Sequence, residues 1–314
     1  MSITMEIKKH PTYNCFEEVM SAVSEYYGLN IDFYFLSTFG FKYYINNDEM
    51  LSLNSADINN GGNNKELLER YSGLGYKIME TGDINPREFI NEKISAHEPA
   101  CVITDSFYLP WNPYYKRLNR EHMFIITGRD GENYVCADPF FNEGRVLLNK
   151  SVMFECCYGY VDFEVRKDIV KPSLPEALDS LKLYMSSNKH AHVEDMKRFA
   201  KDMTRMRLPP DECEKYRDMN SSDLLFSLAA LGWCRINFKD TVESFSHKHK
   251  TNVFADTASL LNDAIKLWSK TKGMLIKSVY SGNPENFLSK TGQLIMDISA
   301  VEDEVMESIL CIQV

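Results

Sequence analysis

The hydrophobic periodicity of this chain changes character once, near residue 170. From Pro172 onward apolar residues recur at helical spacing: Leu174, Ala177, Leu178, Leu181 and Met185 form one stripe, and Leu224, Leu225, Leu228 and Leu231 another. That is the pattern of helices burying one face. Before that point, short apolar runs are broken by Gly, Asn and Pro, and helix and strand signals alternate. A charged segment with two prolines, 166–175, separates the two regimes and reads as a domain junction. At 314 residues the chain can bury two cores. The pattern predicts an α+β domain over residues 1–171, followed by an all-helical domain over residues 172–314.

A formal net charge of −10 argues against nucleic acid or anionic membrane as a partner, since both would repel the chain. No run of about 18 apolar residues is present, and the N-terminus lacks the apolar core of an export signal, so a cytoplasmic location is expected. The eight cysteines show no repeated Cys-x-x-Cys spacing, and the adjacent pair Cys156-Cys157 does not suit a disulfide ladder, so reduced thiols are expected. His190 with His192, and His247 with His249, have no cysteine or carboxylate at a metal-ligand spacing, so no metal site is expected. Gly61-Gly62 lacks the strand and the lysine that a phosphate loop requires.

Chemistry concentrates at three residues of the first part. Asn14, followed three residues later by Glu17, matches a capping box before the apolar positions Phe16, Val19, Met20, Val23 and Tyr27, with Gly28 as the stop. Cys15 therefore falls in the first turn of a helix of about 13 residues. Unpaired main-chain N–H groups and the helix dipole favour a thiolate there, and the same N–H groups suit an oxyanion. His122 opens one apolar run and Asp138 closes the next, with a Gly- and Asp-containing segment, 128–132, between them, as in a hairpin. A three-residue loop, 129–131, with Gly131 in the left-handed region would pair 128 with 132 and hence His122 with Asp138 on one face. A two-residue Asp130-Gly131 turn would put them on opposite faces. A carboxylate behind the imidazole holds its tautomer while the histidine takes the thiol proton, so Cys15, His122 and Asp138 read as nucleophile, base and orienter. Taken singly, each also fits a structural role: a small apolar residue, a strand-edge histidine and a turn aspartate.

Between the helix and the hairpin, helices are expected over 65–71 and 86–96 and a buried strand over 100–104, with an exposed loop over 59–64. The segment 107–115 is aromatic and interrupted by prolines, which reads as a pocket-lining loop. Phe107, Tyr108, Trp111 and Tyr115 are its candidate substrate-binding residues. In the helical part, Lys189, Lys197, Arg198, Lys201 and Arg205 form a basic stripe, either a solvated helix face or a dock for an acidic partner.

Five stretches taken in order resemble the N-terminal domain family of butirosin biosynthesis protein H: 14–28, 39–44, 105–110, 122–128 and Asp138-Pro139. The resemblance covers residues 10–165 and only loosely the helical part. It implies a papain-like fold, related to bacteriocin-processing cysteine peptidases and used for acyl transfer in natural-product biosynthesis. It further implies that an acyl group passes from the phosphopantetheine thioester of an acyl or peptidyl carrier protein, through Cys15, to a small-molecule amine or hydroxyl. No other cofactor is implied. The peptidases carry a glutamine upstream of the cysteine as an oxyanion donor. Here that region reads Lys9-His10-Pro11-Thr12-Tyr13, and His10 is the nearest substitute. A thioesterase or cyclase, a cysteine peptidase and a non-catalytic binding module are the alternatives.

Overall fold

The computed structural model describes residues 2–45, 56–60, 65–82, 85–166, 169, 172–209, 214–216, 221–281 and 283–313. Its elements in chain order begin with α1 (Cys15–Tyr26), α2 (Asp32–Phe35), β1 (Lys42–Ile45), β2 (Ala56–Asn59), α3 (Lys65–Ser72), β3 (Leu74–Glu80), α4 (Pro86–Ser95) and β4 (Ala100–Asp105). A short 3-10 turn (Ser106–Tyr108) leads to β5 (Glu121–Asp130), β6 (Asn133–Asp138), β7 (Glu143–Asn149), α5 (Lys150–Cys156) and β8 (Cys157–Val165). The long helices α6 (Leu174–Met203), α7 (Asp223–His249), α8 (Ala255–Tyr280) and α9 (Pro284–Leu310) follow. Asn59 ends a strand rather than opening a loop, and 61–64 lie outside the described residues.

The chain forms two compact units, Met1–Ile31 with Lys65–Val170, and Asp32–Asn64 with Lys171–Val314. In the first, six antiparallel strands run in the order β3-β8-β4-β5-β6-β7. Alternation along the strands sends Val102, Phe124, Ile126, Tyr134, Cys136 and Tyr160 to one apolar cluster with Phe89 and Ile90 of α4 and Met153 of α5. Helix α1 packs against β5 and buries Val19, Met20 and Val23 completely.

The second unit differs from the sequence-based division. Segment 32–64 belongs to it, because Phe41, Tyr43 and Ile58 sit in one core with Phe199, Trp268 and Leu275 of the helices. The pair β1-β2 therefore makes this unit helical with a two-stranded sheet, not all-helical. Its centre holds a buried charge cluster. Arg235 of α7 donates to both oxygens of Glu302 of α9 at 2.8 Å, and the Trp268 indole of α8 donates to Oε1 at 2.7 Å. His192 of α6 has Nε2 2.8 Å from Glu302 Oε2, yet neither of its ring nitrogens is aligned for a hydrogen bond, so we count this contact as proximity only. One carboxylate thus meets groups from three other helices. Among the described residues, no helix is long and apolar enough to cross a membrane.

Candidate active site

Cys15 is the first residue of α1, and the capping box is formed in both directions. Asn14 Oδ1 accepts the Glu17 N–H at 2.9 Å, and the Glu17 carboxylate accepts the Asn14 N–H at 2.9 Å. The Asn14 carbonyl takes the Glu18 N–H at 2.9 Å. The N–H of Cys15 has no acceptor among the described residues, which leaves one main-chain donor beside the thiol at the positive end of the helix dipole. Burial pushes Glu17 up to about 7, against the opposing pull of the Asn14 N–H. Glu18, also buried, accepts the main-chain N–H of His10 at 2.5 Å and lies 2.9 Å from His10 Nδ1. His10, stacked on Tyr13 with centroids 4.2 Å apart, therefore has only Nε2 uncommitted.

His122 and Asp138 meet. His122 Nε2 lies 2.7 Å from Asp138 Oδ2, with both side chains buried. The thiol of Cys15 is close enough to the same imidazole to help raise its pKa. Since Nε2 is engaged by the carboxylate, Nδ1 is the nitrogen left for sulfur. Burial by itself would lower the His122 pKa, but the hydrogen bond to Asp138 and the influence of the nearby Cys15 thiol outweigh it and push the value up to about 10. The ring favours the imidazolium form, the charge complement of a thiolate.

The hairpin reaches this arrangement by a register that neither sequence alternative contained. Asp130 pairs with Asn133, so the turn residues are Gly131 and Glu132, one position later than an Asp130-Gly131 turn. Gly131 has φ +57°, at the first central position, where a type II′ turn takes glycine. Near the turn, paired numbers sum to 263, a parity that would put residues 122 and 138 on opposite faces. Between Ile126 and Gly128 the ladder shifts, and beyond it Ile126 pairs with Cys136 and Ile125 with Ala137. This bulge at Thr127 restores the parity. Asp138 thereby shares a face with His122 as a diagonal rather than a directly opposed neighbour. Thr127 is secured by its own hydroxyl on the Val135 carbonyl at 3.2 Å, and its carbonyl accepts the Ile3 N–H at 2.9 Å.

The aromatic segment supplies one direct partner. Trp111 Nε1 donates to Asp138 Oδ2 at 2.8 Å while its ring meets Phe124 edge-on, with centroids 5.4 Å apart. Phe107, Tyr108 and Tyr115 are partly exposed and make no hydrogen bond or ring contact with Cys15, His122 or Asp138. The segment is ordered by successive turns, with main-chain bonds from Asn112 to Leu109, Tyr115 to Asn112 and Lys116 to Phe107. Two residues that sequence reasoning missed, Phe140 and Phe141, pack on the His122 ring at 5.8 and 5.1 Å, and the Phe141 N–H donates to Asp138 Oδ1 at 3.3 Å. Their position directly after Asp138-Pro139 was the available signal.

Elsewhere the sequence candidates resolve differently. The basic stripe is largely neutralised by the nearby Lys197–Glu194, Arg198–Asp195 and Arg205–Asp202 pairs and by Lys189–Asp303, which reaches α9. A surface hollow of about 750 Å³ in the helical unit, lined by His247, Lys250 and Phe254 among others, contains none of the three residues. The candidate site is therefore defined by the His122–Asp138 pair and the nearby Cys15 thiol, not by the size of a hollow. Among the described residues, no cluster of three or more His, Cys, Asp or Glu side chains is arranged to hold a metal ion. A scan against models of known protein families finds no match, and a search of curated proteins finds no similar sequence.

Proposed function

We propose that this chain is a papain-like cysteine acyltransferase. It moves an acyl group from a carrier-protein thioester, through acyl-Cys15, to an amine or hydroxyl of a small molecule. The observation that carries the reading is that His122, 2.7 Å from the buried Asp138 carboxylate, also feels the thiol of Cys15 at a capped helix start. In the first half-reaction the Cys15 sulfur attacks the thioester carbonyl, and a new C–S bond forms. The bond to the phosphopantetheine sulfur breaks, and that sulfur leaves with the proton from His122. In the second, the acceptor attacks acyl-Cys15 while His122 takes its proton, and the Cys15 thiolate departs. Asp138 holds the imidazole tautomer through both steps. The Cys15 N–H is the main-chain donor suited to the oxyanion.

The test is mass spectrometry of the protein after incubation with an acyl-carrier-protein thioester. Wild type gains the acyl mass, Cys15→Ala does not, and the adduct persists until an amine is supplied. Rapid release of free acid without acceptor would indicate a thioesterase, and no adduct with any thioester would indicate a binding module.

A further inference from the structure

We infer that Trp111 is a positioning residue of this site, an assignment that rests on the catalytic reading above. The Asp138 carboxylate is fully buried, and its Oδ2 takes two donors, His122 Nε2 at 2.7 Å and Trp111 Nε1 at 2.8 Å. Its Oδ1 takes the Phe141 N–H at 3.3 Å. Two anchors on Oδ2 fix that oxygen in space, whereas His122 alone on it, with only the longer Phe141 contact on Oδ1, holds the carboxylate less firmly. The indole is suited to this because it has one N–H on a rigid plane, and the edge-on contact with Phe124 fixes that plane. Phe124 lies two residues from His122 on the same face of β5, so the ring holding the carboxylate is braced by the strand that carries the base.

The consequence reaches Cys15 through His122. With Oδ2 pinned under Nε2, the imidazole keeps its N–H on that side and presents Nδ1 to the thiol. Without the indole, a buried acceptor direction on Oδ2 loses its partner, the carboxylate reorients, and the tautomer is no longer held. Trp111 also comes from the turn-rich segment that follows the Ser106–Tyr108 turn, so that segment is latched to the triad carboxylate. Trp111 touches neither Cys15 nor the reacting atoms in this arrangement, which makes it a positioning group.

Trp111→Phe retains the ring contact and removes only the donor. Its Cys15 alkylation by iodoacetamide at neutral pH should fall about tenfold, the scale of one hydrogen bond to a charged group. In histidine-labelled protein the Nε2–H resonance of His122 should move upfield and broaden, as a less firmly held Oδ2 weakens its hydrogen bond and exposes the proton to exchange. A folded Trp111→Phe protein with wild-type alkylation and an unchanged His122 resonance overturns the assignment. Should that variant fail to fold, Asp138→Asn decides the question: the Trp111 indole N–H resonance must shift, and an unshifted signal is equally fatal. If wild-type Cys15 is not reactive at all, the catalytic reading fails on its own, while the two resonances still report whether Trp111 holds Asp138.

Discussion

Each unit of this protein buries a carboxylate that meets one tryptophan and one histidine, and the two histidines respond in opposite ways. In the first unit Asp138 faces Trp111 at 2.8 Å and His122 at 2.7 Å, and the His122 pKa is pushed up to about 10. In the second, Glu302 faces Trp268 at 2.7 Å and His192 at 2.8 Å, and the His192 pKa is lowered. The difference is Arg235. Its guanidinium spans both oxygens of Glu302, holds that carboxyl far below its usual range, and leaves little negative charge for the imidazole. Desolvation then wins at His192, with Arg235 adding to it. Among the described residues no Lys or Arg contacts Asp138, so His122 becomes the cation, with the thiol of Cys15 adding to the shift. A tryptophan and a histidine beside a buried carboxylate thus accompany a cationic imidazole in one unit and a neutral one next to an Arg–Glu pair in the other.

The largest expected effect comes from breaking the lock. Glu302→Ala should cost about 3–5 kcal/mol in denaturant unfolding of the helical unit, because a fully buried Arg235 is left without its anion. Replacing both partners, as Arg235→Met with Glu302→Leu, should recover most of that loss. Asp138→Asn should behave differently. The amide oxygen still accepts from Trp111, so the fold should persist while acyl-enzyme formation falls on the order of 100-fold or more through the wrong tautomer. Equal destabilisation by the two substitutions would erase the proposed distinction.

The pH dependence of stability sharpens it further. His122 titrates higher folded than its ordinary 6.5, so its stabilising charge is fully present below pH 6.5 and is lost as pH rises through about 10. His192 titrates lower folded than unfolded, so the second unit accommodates the neutral ring and loses stability as pH falls below 6.5. Glu302 adds to the acid loss only below its ordinary 4.5. Unfolding midpoints across pH should therefore show an alkaline branch in the first unit that His122→Gln flattens and, in the helical unit, an acid branch between 6.5 and 4.5 that His192→Gln flattens. Branches flattened by the other substitution would contradict the charge argument.

The smallest expected effect concerns the turn. Gly131 has φ +57° with open space around its missing Cβ, so Gly131→Ala meets conformational strain alone and should cost about 1 kcal/mol. It should leave Cys15 reactivity intact, because the bulge at Thr127, not the turn, sets the face on which Asp138 emerges.

Local signals were legible in the sequence, and tertiary ones were not. The Asn14-Glu17 capping box and the left-handed glycine at 131 follow from residues within a few positions, and both are present. The register failed because a bulge leaves no residue signature: Thr127 looks like any β-branched strand residue, yet it changes the parity of everything beyond it. An aromatic, proline-broken segment reads locally as a pocket-lining loop, whereas the indole partner of Trp111 lies 27 residues away. Segment 32–64 was grouped with its sequence neighbours, since nothing local shows that Phe41 and Tyr43 complete a helical core. The Arg235–Glu302 pair, 67 residues apart, was equally invisible.

Limiting iodoacetamide at pH 7 followed by peptide mapping tests the central claim most directly, because the chain contains its own control. Cys311 is exposed, Cys15 is only partly so, and the other five thiols among the described residues are buried. If accessibility alone governed reactivity, Cys311 would be labelled first. The relay through His122 and Asp138 predicts that Cys15 is labelled first, and that His122→Ala lowers its rate by at least ~100-fold, the loss of a positioned base, while leaving Cys311 unchanged. Labelling of Cys311 or any other cysteine ahead of an untouched Cys15 would contradict the account and leave a non-catalytic binding module as the better description.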